Sequence, residues 1–292
     1  MRPVRSMLYV PGNSPGMLQH CATFGADSVL LDLEDAVALS EKDAARDLVC
    51  EMLKVLDFGS VVVTVRVNGA DTEFFQEDLR AVVPLRPHAV RIPKCSSPED
   101  VILADRLMGR IEEEHGLPVG SVRIHAMLET ARGVVNALEI GRSSPRVEAL
   151  TLGGQDLTAD MGVSKTREGW ELFVARSQVA LAARSLGLQA LDTVWADVDD
   201  HQGLYEEARR VVGLGFTGKA AIHPSQIEWI HRAFVPELSE VERARRIVDA
   251  ARRAHAEGKG VVSVDGRMVD APVVRRAENT LRLWEMGEVE GL

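Results

Sequence analysis

Five short segments hold most of the residues in this 292-residue chain that are suited to chemistry. Asp32, Glu34 and Asp35 fall within LLDLED, Arg66 closes the apolar run VVVTVR, and Lys94 ends VRIPK. Glu129 follows the run ending in Met127-Leu128, and Gly153, Gly154, Gln155 and Asp156 form GGQD. A guanidinium at the end of an apolar strand is suited to binding a carboxylate or stabilising an enolate by paired hydrogen bonds. Glu129 and Asp156 end consecutive apolar runs. With no Cys or paired His nearby, two such carboxylates favour Mg²⁺ or Mn²⁺, with water and substrate oxygens completing the shell. The glycine pair lets backbone N–H groups approach an anion without side-chain obstruction.

Each of these residues also has a plainer reading. Asp156 could cap a helix over LTADMG, Glu129 could pair with Arg132, and the two glycines could form only a tight turn. Arg66 could neutralise the Glu34/Asp35 cluster while also binding substrate. Three carboxylates so close repel unless cations lie nearby, and Arg5, Arg66, Lys94 and the metal are the suppliers. The cluster is then expected to orient the arginine and the metal-bound water. Lys94 is also of the type that forms a Schiff base with a carbonyl substrate, although a charge partner is the simpler reading. His223 before Pro224 reads as a helix-entry residue, and Cys95, with no base near it in sequence, as inert.

Eight apolar runs must position these groups: Ser6–Val10, Ser28–Leu33, Val61–Val67, Ala89–Ile92, Val122–Leu128, Val147–Leu152, Leu191–Val194 and Phe216–Ile222. Several are continuous rather than alternating, as expected of strands buried on both faces. Helix signals separate them. Ser40 is placed to cap SEKDAARDLVCEMLKVL, Pro98 opens and Gly116 follows SPEDVILADRLMGRIEEEH, and REGWELFVARSQVALAARSLG has helical apolar spacing. Eight strands alternating with helices predict an α/β fold, a closed (β/α)8 TIM barrel whose chemistry sits at the carboxyl ends of its strands. An open doubly wound sheet is the rival, disfavoured because no run leads into GxGxxG. The barrel is expected over residues 1–236. Residues 237–292, a helix, a hairpin with an Asp-Gly turn and a last helix, read as a C-terminal extension.

Composition excludes several classes. The 44 acidic and 34 basic residues give a formal charge of −10, and aromatics make up only 4%. Both disfavour a nucleic-acid binder, while a local basic pocket for a phosphate-bearing ligand remains compatible. No apolar run approaches the roughly 18 residues of a membrane span, and the five-residue run before Pro11 is too short for a signal peptide. Three scattered cysteines and no zinc-type histidine spacing fit a reducing cytoplasm and argue against a zinc hydrolase.

Taken together, RSMLYVPGNSPGM, GADSVLLDLEDAV with KDAAR, VRVNG, VRIPK, MLETARGVVNALEI, LGGQDLTADMG and VSVDGRMVDAPVVRRAEN resemble the citrate lyase β-subunit (CitE-like) family of the HpcH/HpaI aldolase and citrate lyase superfamily. The resemblance runs from Arg5 to about Asn279. It implies a Mg²⁺-binding TIM barrel, a homotrimer or a dimer of trimers, that cleaves citryl, citramalyl or malyl thioesters into an acyl thioester and a 2-oxoacid. By motif, Glu129 and Asp156 match the metal ligands and Arg66 the substrate arginine. Gly154, Gln155 and Asp156 match the loop that holds the oxoacid carboxylate. Asp270 matches an acid that a neighbouring subunit places over the active site, which would make residues 237–292 a segment packing on that neighbour.

The expected site therefore comprises Arg66, Asp270, Glu34 and Asp35 for catalysis, with Arg5, Lys94, Glu129, Gly154, Gln155 and Asp156 beside Arg66 for substrate. The expected partners are an acyl-CoA or acyl-carrier thioester, further copies of the chain and citrate lyase complex subunits. Malyl-CoA thioesterase activity, Schiff-base aldolase chemistry through Lys94, and a scaffold or carrier-binding subunit of a larger complex are the alternatives.

Overall fold

The eight runs form eight parallel strands in a computed structural model that describes residues 4–256, 258 and 260–289. They are β1 (Ser6–Pro11), β2 (Ser28–Asp32), β3 (Val62–Arg66), β4 (Ala89–Ile92), β5 (Arg123–Leu128), β6 (Val147–Leu152), β7 (Gln189–Asp192) and β8 (Gly218–Ala221). Each pairs with the next, and β1 pairs with β8, so the sheet closes into the expected (β/α)8 barrel. Every residue of β2, β4, β6, β7 and β8 is buried, which is why these runs do not alternate apolar with exposed polar residues. Residues 1–3, where the signal-peptide reading begins, lie outside the described residues.

The connecting helices are α1 (Pro15–Leu18), α2 (Lys42–Val55), α3 (Phe74–Val82), α4 (Pro98–Glu114), α5 (Ala131–Val135), α6 (Ala137–Gly141), α7 (Gly154–Asp160), α8 (Trp170–Leu186), α9 (His201–Leu214) and α10 (Ser225–Phe234). Ser97 and Asp100 cap α4 reciprocally, Asp100 Oδ2 accepting from Ser97 N–H at 2.9 Å, with Pro98 at the first helical position. Two local expectations are corrected. Ser40 lies within a 3-10 turn (Leu39–Glu41), and α2 starts at Lys42. The buried Lys42 ammonium donates to the carbonyls of Leu33 and Glu34 at 2.8 and 2.6 Å, which anchors the helix start against the end of β2. Strand β7 begins two residues before Leu191, because the buried Gln189 amide oxygen accepts from Val4 N–H at 3.0 Å.

The chain divides into two compact units at Ile230/His231, within α10. In the second unit, α11 (Leu238–Ala256), the antiparallel pair β9 (Val262–Val264) and β10 (Arg267–Val269), and α12 (Ala271–Val289) enclose Ala244, Ile247, Val248, Val269 and Ala277. Asp265 and Gly266 make the hairpin turn with φ of +52° and +71°, the left-handed pair that a two-residue connection requires.

Candidate active site

Strand register brings the polar ends together. Pro11 pairs with Asp32, Asp32 with Arg66, and Arg66 with Arg91 across β1 to β4. Arg66 Nε and Nη2 therefore donate to the two Asp32 oxygens at 2.7 and 2.6 Å, a bidentate pair buried at the barrel mouth. Nη1 stands 2.9 Å from Glu34 Oε2 and 3.4 Å from Asp35 Oδ2. Burial pulls the Arg66 guanidinium down, but Asp32 outweighs it and holds the group well above its usual range. Lys94 Nζ meets Glu34 Oε1 at 2.7 Å and Asp35 at 3.8 Å. Glu34 thus lies between two cations, although burial still pushes its carboxyl up. Beside Glu34 the Lys94 ammonium is held well above its usual range, which favours the charge-partner reading over Schiff-base attack.

Glu129 follows β5 and is fully buried. Its Oε1 accepts from Lys94 N–H at 2.6 Å, a donor turned toward it by the left-handed Lys94 backbone at φ +52°. Its Oε2 is buried and has no hydrogen-bond partner. Burial first, then the nearby Glu34 and Asp156 charges, push the Glu129 carboxyl up to about 8. A buried carboxylate oxygen without a donor costs free energy until a cation meets it. Asp156 sits in the first turn of α7, whose cap is Gly153, so it does not cap that helix. No group of three or more His, Cys, Asp or Glu side chains is arranged for a metal among the described residues. Two carboxylates that leave further positions to water and substrate are what Mg²⁺ accepts, and the donor set fits that ion.

Gly153 makes this approach possible: a Cβ there would stand 2.5 Å from Glu129 Oε2. The Gly154 N–H donates to Thr193 Oγ1 at 2.9 Å, which corrects the expectation that it holds a substrate carboxylate. The amides of Gln155 and Asp156 follow it in the first turn of α7, where helix geometry leaves N–H groups without intrahelical acceptors. Thr193 is held in turn by Lys219, whose ammonium donates to the Thr193 carbonyl at 2.9 Å and to Asp192 and Glu207 at 2.7 Å each. Tyr9, Asp32, Asp35, Arg66, Gly154 and Asp156 are among the residues lining one cleft of about 400 Å³.

Arg5 is the second correction. It precedes β1 at the amino end of the barrel and pairs with Asp27 at 2.8 Å, a six-residue strand of about 20 Å from the mouth. Asp270 lies in the second unit, where its Oδ1 accepts from Val273 N–H at 3.3 Å at the start of α12. Thr193, Tyr9 and Arg91 were not singled out by the sequence. The available signal was a charged residue inside the apolar AVRI and a tyrosine directly before VPG.

An arginine at the mouth, two carboxylates fit for a hard ion and an apolar-walled cleft can bind a carboxylate-bearing carbonyl compound and stabilise an enolate. Comparison with known proteins points the same way. The model of the HpcH/HpaI aldolase/citrate lyase family matches residues 5–224. The chain is 41% identical to citrate lyase subunit beta of Leuconostoc mesenteroides subsp. cremoris, over 96% of this chain and 92% of that one. It is 31% identical to the mitochondrial citramalyl-CoA lyase of Homo sapiens, over 96% and 85%. Its structure is similar to CitE from Mycobacterium tuberculosis in complex with magnesium, acetoacetate and coenzyme A, with a TM-score of 0.83 and 33% identity over 97% of this chain and 98% of that one.

Proposed function

The chain belongs to the HpcH/HpaI aldolase/citrate lyase family, and we propose from that premise that it is a Mg²⁺-dependent carbon–carbon lyase. It cleaves a β-hydroxyacyl thioester of citryl, citramalyl or malyl type into an acyl thioester and a 2-oxoacid. The observation that carries this reading is the buried, unpartnered Glu129 Oε2, with the Asp156 and Arg66 charges both acting on its carboxyl.

Glu129 and Asp156 would hold Mg²⁺, for which Mn²⁺ substitutes by the same oxygen preference. When bound, the ion supplies Lewis acidity to the hydroxyl and carboxylate oxygens of the substrate. In cleavage the C–C bond breaks and its electron pair passes to the thioester as an enolate. The hydroxyl loses its proton as its oxygen becomes the oxoacid carbonyl, and the enolate carbon takes up a proton. Arg66 offsets the developing negative charge. Two of its five N–H groups are given to Asp32, and the second Nη2 hydrogen is left over for substrate. Glu34, Asp35 and Lys94 position Arg66 and the Glu129 carboxylate, and the first-turn amides of Gln155 and Asp156 receive the oxoacid carboxylate. Asp270 of a second copy protonates the enolate carbon in cleavage and removes that proton in condensation.

That last role requires an assembly, so we also propose a trimer or hexamer in which the C-terminal segment packs on a neighbour. An acyl-CoA is the proposed carrier, with an acyl-carrier thioester and citrate lyase complex subunits as the alternative setting. The free Cys21, Cys50 and Cys95 support a cytoplasmic location. Among the described residues no helix is long and apolar enough to cross a membrane.

The test incubates the purified chain with Mg²⁺ and a panel of citryl-, citramalyl- and malyl-CoA, with products read by mass spectrometry. Equal amounts of acyl-CoA and 2-oxoacid are expected from at least one member. Free CoA with an intact hydroxyacid would instead assign a thioesterase. Inactivity on every CoA combined with turnover of an acyl-carrier thioester would assign a complex subunit.

A further inference from the structure

Among the described residues four arginines are buried, and three of them meet carboxylates: Arg66 with Asp32, Arg146 with Glu112, and Arg176 with Asp192. Arg91 does not. It is 1% exposed in β4, and no carboxylate lies within ion-pairing distance of it among the described residues. Nη1 donates to Tyr9 Oη at 2.7 Å, Nη2 to Met7 Sδ at 2.9 Å, and Nη2 stands 3.5 Å from His125 Nδ1. Its Nε has no partner. His125 Nε2 in turn lies 2.9 Å from Glu148 Oε1. A neutral His125 that donates from Nε2 to Glu148 presents Nδ1 as an acceptor toward Arg91.

The location of this charge is informative. Met7 and Tyr9 alternate along β1 and so project to the same side of the sheet. Tyr9 lines the cleft, and Met7 lies two residues further from the carboxyl end. Arg91, in contact with both, is therefore inside the barrel and directly below the cleft. The Tyr9 ring has the Arg66 guanidinium carbon 5.4 Å and the Arg91 guanidinium carbon 5.7 Å from its centroid, so one π-face system attracts both cations. Above it, Asp32, Glu34, Asp35, Glu129 and Asp156 crowd the mouth against Arg66 and Lys94. Burial and the nearby Arg66 charge pull the Arg91 guanidinium down from its usual range, while Tyr9 and Glu129 favour its charged form. An unpaired guanidinium in a barrel core destabilises the fold relative to an apolar side chain of similar volume. A group that breaks a packing rule beneath an anion-binding cleft is best explained by electrostatics used there.

We propose that Tyr9 and Arg91 are positioning residues for the lyase reaction: the ring supports Arg66, and Arg91, tied to the phenol, sets an unneutralised positive charge under the cleft. The anion formed on C–C cleavage then meets two guanidiniums, one at the mouth and one below. This inference rests on the lyase reading for its chemistry, but not for its test.

A structural filler and an electrostatic group respond oppositely to removal. Arg91→Met takes away the charge and leaves an unbranched apolar chain. A unit charge about 10 Å from an anion, at an effective dielectric near 20, changes affinity roughly tenfold. Arg91→Met should therefore keep or raise the melting temperature while lowering kcat/KM by about tenfold or more, since both the anionic substrate and the enolate lie within reach of the charge. The binding of oxalate, a dianion, measured by calorimetry with Mg²⁺ present, should weaken by a similar factor. Arg91→Lys, which keeps the charge, should restore most of both. Oxalate affinity within twofold of the parent in Arg91→Met would overturn the proposal. So would a melting temperature and an activity that fall together and are not restored by Arg91→Lys. If Arg91→Met does not fold, Tyr9→Phe decides, since it keeps the ring against Arg66 and removes the oxygen that holds Arg91. A threefold or greater loss of oxalate affinity supports the proposal, and a smaller change overturns it. Oxalate binding needs no turnover, so the failure of the lyase reading in the CoA panel would leave this result interpretable.

Discussion

Gly153→Ala isolates the geometry on which the metal site depends. Gly153 has φ −97° and ψ 86°, a conformation open to alanine, so the substitution tests space alone and not backbone freedom. The added Cβ would stand 2.5 Å from Glu129 Oε2, 2.6 Å from Glu129 Cβ and 2.8 Å from Met127 Cε. Comfortable carbon contacts begin near 3.5 Å, so the carboxylate must retreat by roughly 1 Å. Displacing a catalytic group by about 1 Å costs on the order of 100-fold in rate, or about 2.7 kcal/mol of transition-state stabilisation. The assay is kcat/KM on the thioester turned over best, with a Mg²⁺ titration alongside and a melting curve to confirm folding. Both turnover and apparent Mg²⁺ affinity should fall. A folded Gly153→Ala protein within threefold of the parent in both would refute the claim that Glu129 acts from its place against this loop.

Arg66→Lys should lower kcat by about 100-fold or more and also lower the melting temperature, because an ammonium cannot span both Asp32 oxygens and reach Glu34. Thr193→Val keeps the side-chain shape but removes the acceptor of the Gly154 N–H, at about 1–3 kcal/mol, and should raise KM several-fold in steady-state assays. The acid limb of stability follows from Glu112. Burial opposes its ionisation, but Arg146 and the amides of Gly120 and Val122 hold it down at about 2, against an ordinary 4.5. A carboxylate depressed in the folded state stabilises fully above its unfolded pKa and loses that contribution as pH falls. Urea midpoints should therefore drop between about pH 4.5 and 2, and Arg146→Met should flatten that dependence.

The parts of the site that were legible in the sequence are those fixed by strand ends. A continuous apolar run stopped by a polar residue marks both a strand and its carboxyl end, which is how Asp32, Arg66 and Glu129 were placed at the barrel mouth. Arg5 was misplaced because it precedes its run, and in a parallel barrel a residue before a strand lies at the amino end, opposite the mouth. Its partner Asp27 precedes β2 as Arg5 precedes β1. Gly154 was misread because its amide is claimed by Thr193, 39 residues away, a contact that only closure of the barrel creates. Tyr9 and Arg91 were hidden for a related reason. In a strand buried on both faces, the sequence does not distinguish a side chain in the barrel interior from one under the helices. Strand β7 shifted because a buried Gln189 reads as a loop residue until Val4 is beside it.

The most direct measurement is turnover by EDTA-stripped protein as Mg²⁺ is restored, compared between the parent chain and Glu129→Gln and Asp156→Asn. Activity should be absent without the ion and return with Mg²⁺ in the parent. Each variant should need far more Mg²⁺, or stay inactive, while remaining folded. Undiminished cleavage after stripping, or variants that recover at the parent's Mg²⁺ concentration, would contradict the assignment of Glu129 and Asp156 as the residues that hold the metal.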